Sequence, residues 1–206
     1  MIKVRITYTK MGWLKYTANL DMQKMWERAI RRARLPLAYS QGYHPKPRMN
    51  LAAPLPLGFT SSAEMIDIWF TEEISTEEIQ NKLEGMFPAG IEIKEIKQIS
   101  LSGASLQSSV SAGEFIIELR EDLPAEELEN KVSTLMQNES IIRVRRKKEY
   151  DLRPLIEELR LIDSKHLFTR LTMLPKATGR PEEVLLAMDI DPNDTRIERT
   201  RLILAA

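Results

Sequence analysis

The residues of this chain best suited to chemistry crowd into its first quarter. Lys24, Arg28, Arg31, Arg32 and Arg34 recur along one predicted helix, and Lys46 and Arg48 follow in a loop. That loop also holds Tyr39, Tyr43 and His44 between Pro36, Pro45 and Pro47. Residues 1–60 carry eleven Lys/Arg against two acids, a net +9, whereas residues 61–206 carry nineteen against twenty-eight, a net −9. A formal charge of zero over 206 residues therefore hides a basic surface of the kind that meets phosphate. Lys24, Arg28, Arg31, Arg32, Lys46 and Arg48 are the expected phosphate contacts. The helical stripe is read as lacking the interspersed Glu that would neutralise it at i,i+4 spacing. Tyr43 follows Gly42, where a positive φ would turn the next side chains outward, and is the expected stacking platform for an unpaired base. Stacking of that kind points to RNA rather than duplex DNA. Tyr39 is expected to sit in the core beneath the loop. His44 is the one loop group whose ordinary pKa lies near neutrality, hence the one candidate for general acid–base work. A lone loop histidine more often hydrogen-bonds at the surface, so no catalytic residue is assigned.

A second basic run, Arg143, Arg145, Arg146, Lys147 and Lys148, lies at a predicted strand end. It reads equally well as a cationic sheet edge and as protection of that edge against aggregation. Other chemistries are excluded by composition. The chain has no cysteine, so it supplies no thiolate to an iron–sulfur cluster or a Cys-based zinc site. Two histidines, His44 and His166, leave little for a His-based metal centre, and neither a metal nor a cofactor is expected in this chain. Asp189, Asp191 and Asp194 lack the glycine and terminal glutamate of a calcium loop. Walker A, GxGxxG, GxSxG and HExxH patterns are missing. No apolar run nears the length needed to span a bilayer and no apolar segment follows Met1, so a cytoplasmic chain without membrane contact is expected.

The elements that position these groups follow from periodicity. Ile2–Thr9 alternates as a strand. Asn19 reads as the N-cap of a helix, Leu20–Arg34, that turns Met22, Met25, Trp26, Ala29, Ile30 and Ala33 inward. Arg48–Ala53 and Glu64–Phe70 read as paired strands, Thr76–Phe87 as a helix behind Ser75, and Ile91–Ile99 as a strand. The order β-α-β-β-α-β is that of a ferredoxin-like unit. It recurs with one additional strand after the serine-rich segment 100–113: a strand at Glu114–Arg120, a helix at Pro124–Gln137, a strand at Ile141–Arg146, a hairpin at 157–174, a helix from Pro181 and a strand at Thr195–Leu204. The expectation is an α+β chain of two tandem ferredoxin-like domains, 1–99 and 114–206, joined by a connector at 100–113.

The string GWLKYTANLDMQKMWERAIRRARLPLAYSQGYHPKPRMNLAAPLPLG, with EMIDIWF, YDLRPLIEEL, GRPEEVL and RIERTRL after it, resembles the radical-SAM-associated domain family. Members of that family lie at the C-terminus of B12-binding radical SAM proteins or are encoded beside them. The resemblance covers nearly the whole chain. The family usually has histidine where this chain has Asn19, and Pro-His-Pro where it has Pro45-Lys46-Pro47; if those histidines are catalytic in the family this chain cannot use them, and Lys46 keeps only a positive charge. The resemblance implies a partner, a separate B12-binding radical SAM protein, and a role in RNA modification. The leading expectation is an RNA-binding accessory protein that presents ribosomal or transfer RNA to that enzyme. Alternatives are a metal-independent endoribonuclease like the CRISPR repeat-processing enzymes, with His44 as acid or base, and a pure protein-interaction domain.

Overall fold

Alternation along Ile2–Lys10 (β1) puts Ile2, Val4, Ile6 and Tyr8 on one side of a strand, and all are buried. The computed structural model containing this strand describes residues 1–121, 123–145 and 147–205, and it divides into two units, Met1–Ser109 and Val110–Ala206. The architecture is α+β, with antiparallel strands and few helices.

In the first unit β1 is central. It pairs antiparallel with Thr60–Phe70 (β3) on one side and with Ile93–Ile99 (β4) on the other, and the short Met49–Leu51 (β2) extends β3. The order is β4-β1-β3-β2. Helices Asn19–Arg32 (α1) and Thr76–Leu83 (α2) bury Met22, Trp26, Ala29, Ile30, Ile79 and Leu83 in one cluster with Val4, Ile6, Ile66, Ile68 and Phe70. Trp26 is fully buried, edge-on to Tyr8 at 4.8 Å and tilted against Phe87 at 4.6 Å. The helix begins one residue earlier than periodicity suggests. Ala18, not Asn19, is the capping residue, and it offers no side-chain cap, so Asn19 has no capping role. At the other end Arg34 adopts φ +52 and the Leu35 N–H returns to the Ile30 carbonyl, which stops the helix before Pro36 does.

The odd positions of β1 face away from the helices and are not bare. Asp67, fully buried, accepts two bonds from the Arg5 guanidinium at 2.7 and 3.1 Å and an ion pair from Lys3 at 3.1 Å. Within the serine-rich stretch, Leu106–Ser109 forms a short helix (α3) whose Leu106 is buried, and the next strand starts at Val110.

The second unit repeats the arrangement. Val110–Leu119 (β5) is central, with Thr195–Leu204 (β11) on one side and His166–Leu174 (β9) on the other; Ile156–Leu161 (β8) continues the sheet beyond β9, and Ala177–Thr178 (β10) pairs with its far end. All these pairs are antiparallel. Ala125–Gln137 (α4) packs on β8, and Pro181–Ala187 (α5) precedes β11. Inserted between α4 and β8 is a two-stranded hairpin, Ile142–Arg145 (β6) with Lys148–Asp151 (β7); β7 is a strand not assigned from the sequence.

The Asp151 carboxylate fastens this hairpin by accepting N–H groups from Ile141 at 2.8 Å and Arg153 at 2.9 Å. The Ile141 bond, opposed by partial burial, holds its pKa below the ordinary 3.8. A carboxyl depressed in the folded state contributes stability above its unfolded pKa and loses it as pH falls through the folded value. Between about pH 5 and about pH 3 the wild-type urea midpoint should therefore fall more than that of Asp151→Asn, which keeps an acceptor but cannot titrate. Parallel curves for the two proteins would refute the assignment.

No helix among the described residues is long and apolar enough to cross a membrane.

Candidate nucleic-acid interface

Residues four apart on α1 share a face, so Lys24, Arg28, Arg31 and Arg32 turn away from the buried Trp26 stripe. Together with Asp21, Met25, Met86 and Pro88 they line an open groove of about 740 Å³. The structure corrects the expectation of an unneutralised stripe. Arg31 reaches Glu27 at 3.5 Å, the i,i+4 partner overlooked in sequence, and Lys24 reaches Asp21 at 3.7 Å. Both pairs are long and both cations are exposed, although Glu27 is half-buried; such pairs are worth about 1 kcal/mol or less, so an incoming phosphate can compete for either cation. Arg32 is more committed: its guanidinium donates to the Met86 carbonyl beyond the end of α2. Arg28 has no hydrogen bond or ion pair among the described residues. Its charge points into the groove unopposed.

The loop after α1 is zipped to the end of β3. Ala38 N–H donates to the Trp69 carbonyl, Arg48 N–H to Ala38, and Trp69 N–H to Arg48, all within 3.1 Å. At the tip Ser40 N–H donates to the Lys46 carbonyl at 2.8 Å, and Lys46 N–H donates back to Ser40 Oγ at 2.9 Å. Between these pinch points Gly42 adopts φ +127, and Tyr43 stands 97% exposed, edge-on to His44 with ring centres 5.2 Å apart. Tyr39 lies at the surface, 39% exposed, because its bridge to Pro47 keeps it on the rim; the expected core position is not taken. Lys46 is exposed. Arg48 is half-buried: its guanidinium lies 5.2 Å from the Trp69 ring, across which the Lys3 ammonium also sits at 4.8 Å. His44 has no hydrogen-bonding partner among the described residues, so nothing orients it as an acid or base.

The second basic run is arranged differently from a cationic edge. Arg143 pairs with Glu183 of α5 at 2.9 Å, and Arg145 is also half-buried, while the intervening Ile142 and Val144 face solvent. The hairpin packs its arginine side inward, so the exposed row is apolar. Burial, and then the neighbouring Glu183, raises the Tyr150 hydroxyl above its ordinary pKa of 10.0. Lys147 occupies the turn at φ +66 and Lys148 is exposed. Arg146 lies outside the described residues.

One group escaped the sequence reading. Gly12–Tyr16 is a 3₁₀ turn, three residues per turn, which brings Trp13 and Tyr16 to the same side. Their ring centres are 6.3 Å apart, Trp13 is 87% and Tyr16 60% exposed, and the Lys15 ammonium lies 5.1 Å from the Tyr16 ring. The i,i+3 aromatic spacing beside Gly12 is the signal that marks it.

Residues 3–184 match the family described as an uncharacterized protein conserved in bacteria (DUF2344). The chain belongs to that family. Among curated proteins nothing matches this DUF2344 member. Solved structures similar to it include a chain of the archaeal box H/ACA sRNP Nop10-Cbf5 complex, with TM-score 0.43, 11% identity, and coverage of 97% of this chain and 48% of that one. Others are a chain of an H/ACA RNP bound to a substrate RNA containing 2'-deoxyuridine (0.45, 10%, 98% and 47%) and a chain of a Cbf5-Nop10-Gar1 complex (0.44, 10%, 97% and 48%). The DUF2344 member spans about half the length of those chains. At such TM-scores the likeness bears on neither partner nor mechanism.

Proposed function

We propose that the chain is an RNA-binding accessory protein whose first unit grips phosphates along α1. The observation that carries this is the groove in which Lys24, Arg28, Arg31 and Arg32 converge, with Arg28 in no ion pair among the described residues and Lys24 and Arg31, both exposed, held only by long ion pairs. Lys46 and Arg48 add charge on the adjoining loop, and Tyr43 presents an open ring to an unpaired base. The strand orders β4-β1-β3-β2 and β11-β5-β9-β8, each with two helices in βαββαβ sequence, support reading both units as ferredoxin-like, the second with an inserted hairpin. No catalytic role is given to His44.

The RNA, ribosomal or transfer, would be handed to a separate B12-binding radical SAM protein in the cytoplasm. That partner rests on the family resemblance and on the chain's having no cysteine with which to ligate a cluster itself. Pull-down of the cognate enzyme with and without RNA tests it; no association under either condition removes the partnership.

Phosphate binding is tested by anisotropy of a labelled single-stranded RNA over a salt series. Each neutralised phosphate contributes about 0.7 to the log–log slope, so Arg28→Ala with Arg31→Ala should flatten it by about 1.4 and weaken binding about 10- to 30-fold at 0.1 M salt. Salt-independent binding, or none at low salt, sinks the proposal.

A further inference from the structure

We propose that the Gly12–Tyr16 turn is a second, separate site on the first unit: a stacking platform that takes unpaired bases of single-stranded RNA on Trp13 and Tyr16. This deepens the phosphate-binding reading of α1 and rests on it. Large aromatic rings normally bury most of their surface, yet these two stand open to solvent, Trp13 the more so, while the Lys15 ammonium lies over the Tyr16 ring and leaves its other face to a base. The turn is held at both ends and in its middle. Met11 N–H donates to the Gly90 carbonyl at 2.9 Å, Lys10 Nζ to the Thr17 carbonyl at 2.9 Å, Gly58 N–H to the Lys15 carbonyl at 2.9 Å, and Leu14 is buried beneath. Gly90 adopts φ +103, and a Cβ there would meet the Met11 carbonyl oxygen at 2.5 Å, so this anchor admits only glycine. Rings on a rigid support lose little freedom on binding, which favours affinity.

The occupant follows from what continues the surface. Three residues after Tyr16 the chain enters α1, where Leu20, Lys24, Arg28 and Arg31 follow one another along the exposed face over about 16 Å of helix. A ligand that spans both features needs flat apolar faces at one end and repeated negative charge along the other. Single-stranded RNA has both, since every base has a π face and every linkage a phosphate. A duplex hides its base faces in the stack and would meet only the cations.

The test compares a single-stranded 12-mer RNA with a duplex of equal length, using wild type, Trp13→Ala, Trp13→Phe and Arg28→Ala with Arg31→Ala. Circular dichroism confirms that each variant is folded. Trp13→Ala should weaken single-strand binding about tenfold while leaving the salt slope and duplex binding unchanged, and Trp13→Phe should recover most of the loss. An abasic 12-mer should bind wild type less tightly than the intact strand and show no further loss with Trp13→Ala. If Trp13→Ala binds the single strand as wild type does while the arginine variant is weakened, the platform is wrong and the phosphate reading stands. The platform is equally wrong if Trp13→Ala loses only a partner protein, which would mark the turn as a protein contact. If wild type binds neither RNA at low salt, both readings fall.

Discussion

Asp67→Ala should destabilise the first unit by about 3–5 kcal/mol, the range for removing one partner of a buried ion pair. The carboxylate is fully buried and is shared between Lys3, which is itself almost wholly buried, and Arg5, which reaches it through two bonds. Taking it away leaves the Lys3 ammonium out of water, with the face of Trp69 4.8 Å from it and no other ion-pair partner among the described residues. A cation–π contact offsets about 0.5–2 kcal/mol, well short of that desolvation. The same reasoning makes a second outcome specific. Lys3→Met with Asp67→Leu removes both charges at once and should cost less than Asp67→Ala alone, because the large term is the orphaned cation rather than the lost pair. Urea unfolding followed by far-ultraviolet circular dichroism measures both. A loss below about 1 kcal/mol for Asp67→Ala would show that water screens the site.

Trp26→Ala should cost a similar 3–5 kcal/mol, here through a cavity. The indole is fully buried between Tyr8 and the half-buried Phe87, with Ile30 and Ile6 in the same cluster, so its removal leaves a hole that the surrounding side chains fill only in part. Its Nε1–H has no hydrogen-bond partner among the described residues, which means that packing alone holds the ring. Trp26→Phe keeps an aromatic face toward both neighbours and deletes an unpaired buried donor, so it should lose less than half as much. Equal losses for the two variants would assign the stability to the indole nitrogen and overturn this account.

The two residues behind these predictions differ in how far sequence reveals them. Trp26 is legible because Met22, Trp26, Ala29 and Ile30 recur at helical spacing opposite the cations, and the core follows from that period. Asp67 is not: it reads as the polar member of an alternating strand, and only the register of Arg5 opposite Asp67 shows the pair. The same limit explains Arg143. Alternation puts it on a common face with Arg145, but whether that face meets water or Glu183 depends on where α5 packs. Local chemistry misleads at Asn19, whose type suits a cap while Ala18 holds the capping position. In the candidate interface the cationic stripe is visible from spacing, whereas the Trp13–Tyr16 pair requires the 3₁₀ geometry of its turn. Strand periodicity and helix periodicity both pass over it.

The central position of β1 sets an order of events for a chain emerging from the ribosome. Its two neighbours are β3 and β4, and the latter begins about 80 residues after β1 ends. At about 5–20 residues per second that separation is about 4–16 s of synthesis. Throughout it, Ile2, Val4 and Ile6 have one strand edge with nothing to pair against, and β5 waits in the same way for β9 and β11. Long-range pairing of this kind slows folding and leaves hydrophobic strands open to association. A nascent or cleaved fragment that stops short of Ile93 is thus expected to be sticky rather than native, and limited proteolysis within the first unit should release aggregating rather than soluble pieces.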